Sequence, residues 1–79
     1  MERKTYLKLC QKVALLPDNV EAKDVPKDLR VVYDGIEYYP TEYILWFDLD
    51  GNPRHSATIH SMNTKTILRV PLEKLREVT

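Results

Sequence analysis

The sequence predicts a mainly β protein of the α+β class, in which one N-terminal amphipathic helix accompanies a four- to five-stranded antiparallel sheet. Three observations predict it: apolar residues recur at helical spacing near the N-terminus, the period changes to two after about residue 29, and two Asp-Gly dipeptides punctuate the later segment. The chain has 79 residues, of which 43% are hydrophobic and 30% charged. This length favours a single domain, residues 1–79, with one modest core.

The predicted helix covers residues 3–16. Tyr6, Leu9 and Cys10 lie at the spacing that aligns side chains on one helix face. Pro17 ends the helix, because proline disfavours helical geometry at the residue before it.

A surface linker with mixed charges is predicted at residues 17–28, followed by the sheet at residues 29–78. β-Branched and aromatic residues alternate there with polar ones. Strands are expected at residues 29–33, 36–47, 54–62 and 66–70, with a short last strand at 77–79. Because Asp34-Gly35 and Asp50-Gly51 tolerate positive φ, successive strands are expected to pair as antiparallel hairpins.

Pro40 interrupts the long second strand. It predicts a β-bulge or an edge segment, because proline cannot donate to the ladder. With unbroken alternation, the more apolar face is expected in the core and carries Tyr39, Thr41, Tyr43, Leu45 and Phe47. The opposite, partly exposed face then carries Tyr38, Glu42, Trp46 and Asp48. A bulge at Pro40 would exchange Tyr38 and Tyr39.

Gly35, the pair Tyr38-Tyr39 and the tail Val70-Pro71-Leu72-Glu73-Lys74-Leu75-Arg76 resemble the pattern of small SH3-like barrels, and within them that of Tudor-type domains. The resemblance covers residues 29–78 and implies an SH3-like barrel, with an open meander as the alternative. Tudor-type domains that bind methylated lysine or arginine use an aromatic cage. Tyr38 matches one cage position, whereas Met62 and Ile59 occupy positions where further aromatics are expected.

A second resemblance is carried by Tyr38-Tyr39-Pro40-Thr41 and by His55-Ser56-Ala57. These segments are similar to small uncharacterised proteins of bacterial prophages and mobile elements, which implies a bacterial setting and no particular activity. Cys10 is the only cysteine, so a reducing cytoplasm is the predicted location. The N-terminus lacks the apolar run of a signal peptide or membrane span.

The sequence predicts no catalytic, cofactor or metal site, and an enzyme is not expected. His55 and His60 are five residues apart in a predicted strand, so they point to opposite faces. The segment from Asp48 to Asn52 lacks the glycine and glutamate positions of a calcium loop. Cys10 lies on the apolar stripe of the helix, where a core role is expected.

Twelve basic and twelve acidic residues cancel, so no global field attracts nucleic acid or an anionic membrane. Between residues 31 and 53, however, there are five acids and six aromatics but no lysine or arginine. An acidic aromatic surface favours a cationic peptide. In the alternative interpretation, Arg54 and Arg69 neutralise these acids across strands while most aromatics fill the core.

The predicted function is a non-catalytic protein-interaction domain that binds a protein partner or its own copy. Its expected partner-binding residues are Tyr38, Glu42, Trp46 and Asp48. Two alternatives are an accessory subunit of an enzyme or complex and a nucleic-acid-binding barrel. The basic residues available to the barrel are Arg3, Lys4, Lys8, Lys12, Lys65 and Arg69. No small-molecule substrate is evident.

Overall fold

A computed structural model describes residues 1–78 and confirms the predicted class of one helix and an antiparallel sheet. The helix and strands are α1 (Arg3–Ala14), β1 (Val31–Tyr33), β2 (Ile36–Phe47), β3 (Pro53–Ser61), β4 (Ile67–Pro71) and β5 (Arg76–Glu77). The five strands lie in the order β4-β3-β2-β1-β5. Within the described residues β4 and β5 are the two edges of an open sheet. The predicted last strand ends at Thr79, which lies outside the described residues.

The apolar stripe of α1 packs on the sheet. Tyr6 is fully buried and Leu9 is 8% exposed, while Cys10 and Val13 contact the core from its margin. The helix ends at Ala14, two residues before the predicted boundary. No helix within residues 1–78 is long and apolar enough to cross a membrane.

The predicted linker at residues 17–28 is more ordered than a surface loop. It contains 3₁₀ turns at Ala22–Asp24 and Lys27–Leu29, and it buries Val25 in the core. Arg30 holds this segment to the sheet, because its guanidinium donates to the carbonyl oxygen of Val25 at 2.9 Å and to the carboxylate of Glu37 at 3.0 Å.

The two Asp-Gly dipeptides form the predicted hairpins. Asp34 and Gly35 have φ values of 52° and 78°, which is the backbone geometry of a two-residue type I′ turn between β1 and β2. Gly51, at φ 80°, lies in the loop between β2 and β3. Trp46 is opposite Arg54 across that hairpin, so its antiparallel pairing is confirmed.

A β-bulge follows Pro40. It is one of the two alternatives that the sequence predicted there. Pro40 is opposite Ile59 and Glu42 is opposite Thr58, so Thr41 is an extra residue in β2. The extra residue shifts the side-chain alternation by one.

This shift corrects the predicted faces of β2. Tyr38 is 8% exposed and belongs to the core cluster, whereas Tyr39 lies on the opposite face and is only partly buried. The prediction that left Tyr38 outside and Tyr39 inside is therefore wrong, and the exchange expected for a bulge is what occurs.

Beyond the bulge, the predicted faces hold but the predicted burial of Leu45 and Phe47 is wrong. Tyr43 is half-buried, while Leu45 and Phe47 on the same face are 46% and 64% exposed. The reason is length: α1 and β2 both have 12 residues, which gives about 18 Å of helix against about 40 Å of strand. The molecule measures 42 Å along its longest axis. We call residues 45–55, the uncovered end of this hairpin, the arm.

Tyr6 joins α1 to the bulge. Its hydroxyl lies 2.9 Å from the carbonyl oxygens of both Glu42 and Thr58. One phenolic proton is thus shared between two carbonyls on either side of the irregular pairing.

Replacing Tyr6 by phenylalanine removes this donor and keeps the ring. We expect Tyr6→Phe to lower the free energy of unfolding by about 1–3 kcal/mol, because a buried carbonyl loses its hydrogen bond. Urea unfolding followed by circular dichroism measures the change. Tyr33→Phe is the matched control, since the Tyr33 hydroxyl makes no hydrogen bond within the described residues. Equal losses in the two variants would contradict a role for the Tyr6 hydroxyl.

Candidate functional site

A groove lies beside the arm, where β4 ends. It has a volume of about 850 Å³. Its walls come from the arm, the end of β4 and the start of α1, and include Trp46, Arg54, His55, Pro71, Leu72 and Arg3. A concave surface with apolar walls and charged side chains at its margin is typical of a binding site.

Trp46 is the largest side chain of this groove and is 47% exposed. Its indole Nε1–H donates to the hydroxyl of Ser56 at 2.8 Å, and Ser56 is only 7% exposed. The hydrogen bond fixes the ring against β3 while leaving part of it accessible. The predicted partial exposure of Trp46 is confirmed.

Asp48 organises the loop at the end of the arm. Its Oδ1 accepts the backbone N–H groups of Asp50 at 3.0 Å and Asn52 at 2.9 Å, and its Oδ2 lies 2.9 Å from the guanidinium of Arg54. These donors, with the Asn52 N–H foremost and the Arg54 side chain next, hold the pKa of Asp48 below its ordinary 3.8. Asp48 is therefore engaged within its own loop.

Two of the five acids predicted for this surface are neutralised by ion pairs within the described residues. Arg54 pairs with Asp48 as the alternative interpretation expected, and Arg30 pairs with Glu37 at 3.0 Å. Arg69 forms no ion pair within residues 1–78. Glu42 is exposed and shares a strand face with Trp46, because their positions differ by an even number beyond the bulge.

Tyr38 is not part of this surface. It packs in the core beside Tyr33, with their ring centroids 6.5 Å apart. Placing it with Trp46 was wrong because the bulge separates the two faces. The cage position implied at Ile59 is also fully buried, so these two positions do not form an exposed cage.

Two tyrosine–histidine pairs flank the sheet, one on each face. Tyr43 stacks on His55 with centroids 5.9 Å apart, and its hydroxyl is hydrogen-bonded to Nδ1 of His55. Tyr39 lies opposite His60, with centroids 5.1 Å apart. The histidines point to opposite faces, as predicted. The pairs themselves were not predicted, because they depend on strand register, which the bulge sets.

Candidate ligating and nucleophilic side chains do not converge. Within residues 1–78, no three histidine, cysteine or acidic side chains are grouped to hold a metal ion. Cys10 is half-buried on the sheet-facing side of α1, and burial raises the pKa of its thiol. The thiol therefore stays protonated and packs as a small apolar group, in agreement with its predicted place on the apolar stripe.

The Asp48 contacts predict a pH dependence of stability. Because the folded-state pKa is depressed, the contribution of Asp48 is present above pH 3.8 and is lost as the pH falls below that value. We expect Asp48→Asn to remove this contribution, so that the free energy of unfolding decreases less steeply as the pH is lowered through the acidic range. Thermal unfolding between about pH 2 and 6 tests it. Asp50→Asn is the control in the same loop, and an unchanged pH dependence in Asp48→Asn would contradict the assignment.

Comparison with known proteins adds no homologue to this description. No protein family, curated protein or solved structure matches the chain. The candidate function therefore rests on the geometry of the arm and its groove.

Proposed function

We propose that the protein is a small non-catalytic interaction domain that binds an extended segment of a protein partner in the groove beside Trp46. The observation that carries the proposal is the half-exposed indole of Trp46, fixed by Ser56 at the wall of this groove. Tryptophan is among the residues most enriched at energetic centres of protein interfaces. A ring that is already ordered loses little side-chain entropy on binding.

The chemistry of the walls favours an apolar anchor on the partner. Pro53, Pro71 and Leu72 line the groove with Trp46. The charged side chains at the groove are two arginines, Arg3 and Arg54, and two acids, Asp48 and Glu73, so they balance. A strongly cationic partner, as an acidic surface would favour, has less support than one that inserts an aliphatic or aromatic side chain against the indole.

We also propose that the protein works in a reducing cytoplasm. Its one cysteine is unpaired and half-buried, which suits a reducing cytoplasm. Glu42, exposed on the face of Trp46, is the remaining acid of the predicted set that can contact a partner directly.

Trp46 is the only tryptophan, so its fluorescence reports the groove directly. Selection from a displayed random-peptide library is expected to yield peptides with an apolar anchor that shift this emission. Trp46→Ala should weaken their binding by at least about tenfold, measured by calorimetry, because it removes the groove's main contact surface.

Ile36→Ala is the matched control, since Ile36 is 56% exposed at the other end of β2 and outside the groove. It should bind the selected peptides like the wild type. Peptides that bind Trp46→Ala as well as the wild type, or a selection that enriches none, would contradict the proposal.

One observation supports nucleic-acid binding as a second candidate function. Lys4, Lys8 and Lys12 recur every four residues on α1, are exposed and form no ion pair within the described residues. A stripe of this kind can contact successive phosphates.

The second candidate predicts binding to a single-stranded oligonucleotide that weakens steeply with salt and is lost in Lys8→Glu. Fluorescence anisotropy at two salt concentrations measures it. Trp46→Ala should leave this binding unchanged. Absence of binding at low salt would remove the candidate, and so would equal binding by Lys8→Glu.

A further inference from the structure

The face of the arm opposite Trp46 is a second surface with no cover. It continues the core-facing side of β2 and β3 and carries Leu45, Phe47, Pro53 and His55, with Tyr43 just before the arm. Pro53 and His55 also border the groove. We propose that this face, which we call the inner face of the arm, is the interface of a two-fold symmetric dimer in which it packs on the same face of a second copy.

Burial along this face falls in one direction. On β2, Tyr38 and Pro40 are buried, Tyr43 is half-buried, and Leu45 and Phe47 reach 46% and 64% exposure. The same sheet side therefore passes from core to surface along β2. A sheet face of this kind is normally packed on another layer, and two sheets packed face to face lie about 10 Å apart.

Two side-chain polar atoms on the inner face are paired with each other, while Nε2 of His55 makes no hydrogen bond within the described residues. The Tyr43 hydroxyl and Nδ1 of His55 satisfy each other. At the end of the arm, Asp48 is satisfied by loop N–H groups and by Arg54. Burying polar groups that already have partners avoids most of the desolvation penalty that unpaired groups incur.

The lack of charge on the inner face favours a second copy over a charged partner. The four residues of the inner face and Tyr43 include no lysine, arginine or acid, and the whole chain has a formal net charge of zero. Two identical faces can therefore meet about a two-fold axis without like-charge repulsion, which is what an isologous interface requires.

The available area is also sufficient for a weak dimer. Phe47 and Leu45 are 64% and 46% exposed. Since a fully exposed aromatic side chain can bury about 150–250 Å², these two and their exposed neighbours offer at most on the order of 500 Å² per copy. Two copies then bury at most about 1,000 Å², the lower limit for a specific interface. The expected association is a concentration-dependent equilibrium.

Sedimentation equilibrium of the full chain tests the dimer. The apparent mass should rise from 9.3 kDa towards twice that value as the concentration approaches about 1 mM. Phe47→Lys should weaken association by at least about tenfold, because it places a charge in both halves of the interface. Its circular dichroism should match that of the wild type, since Phe47 is mostly exposed.

Ile67→Lys is the matched control, because Ile67 is 58% exposed on β4, away from the arm. Mixed isotope labelling should show intermolecular contacts between the Leu45 methyls and the Phe47 ring. A wild type that remains monomeric would overturn the proposal. An equal weakening of association in Ile67→Lys would also overturn it. Intermolecular contacts at Ile67 or Trp46 would overturn it too, because they would place association at the β4 edge or at the groove.

Discussion

One buried hydroxyl ties the helix to the irregular part of the sheet, in addition to the apolar packing of α1. Tyr6 is fully buried, and its oxygen lies 2.9 Å from the carbonyls of Glu42 and Thr58. The bulge residue Thr41 also donates to the Thr58 carbonyl, at 3.1 Å. The bulge disturbs the regular ladder, and the helix supplies a donor there. Burial raises the pKa of Tyr6 far above its ordinary value, so the phenol remains protonated and keeps its donor across the pH range in which proteins fold.

The bulge then determines which side chains reach the surface. One extra residue at Thr41 places Tyr38 and Pro40 in the core, and it places Trp46 on the face turned away from the core side of the arm. Without it, a strand that buried Tyr38 would also direct Trp46 inward. The candidate groove and the core packing of β2 are therefore both consequences of the same local irregularity.

Local chemistry explains why the elements were predictable. The helical period, the two Asp-Gly turns and the strand alternation are properties of neighbouring residues, and Pro40 marked the place of the bulge. The face of Tyr38 was not predictable, because proline in a strand is compatible with either a bulge or an edge. The exposure of Phe47 depends on the length of α1 relative to β2, which periodicity does not measure. The role of Asp48 required loop geometry, since its sequence neighbours suggested only a turn.

The arm combines a rigid end with two different faces. Asp48 joins the loop N–H groups to Arg54, so the hairpin is held in shape where no helix supports it. Because successive side chains of a strand point to opposite sides, Trp46 and Phe47 are neighbours in sequence but belong to different surfaces. A partner in the groove and a second copy on the inner face would share only Pro53 and His55, which border both surfaces. Dimerisation would then present two grooves related by a two-fold axis, and a partner with two binding segments would gain avidity from binding both.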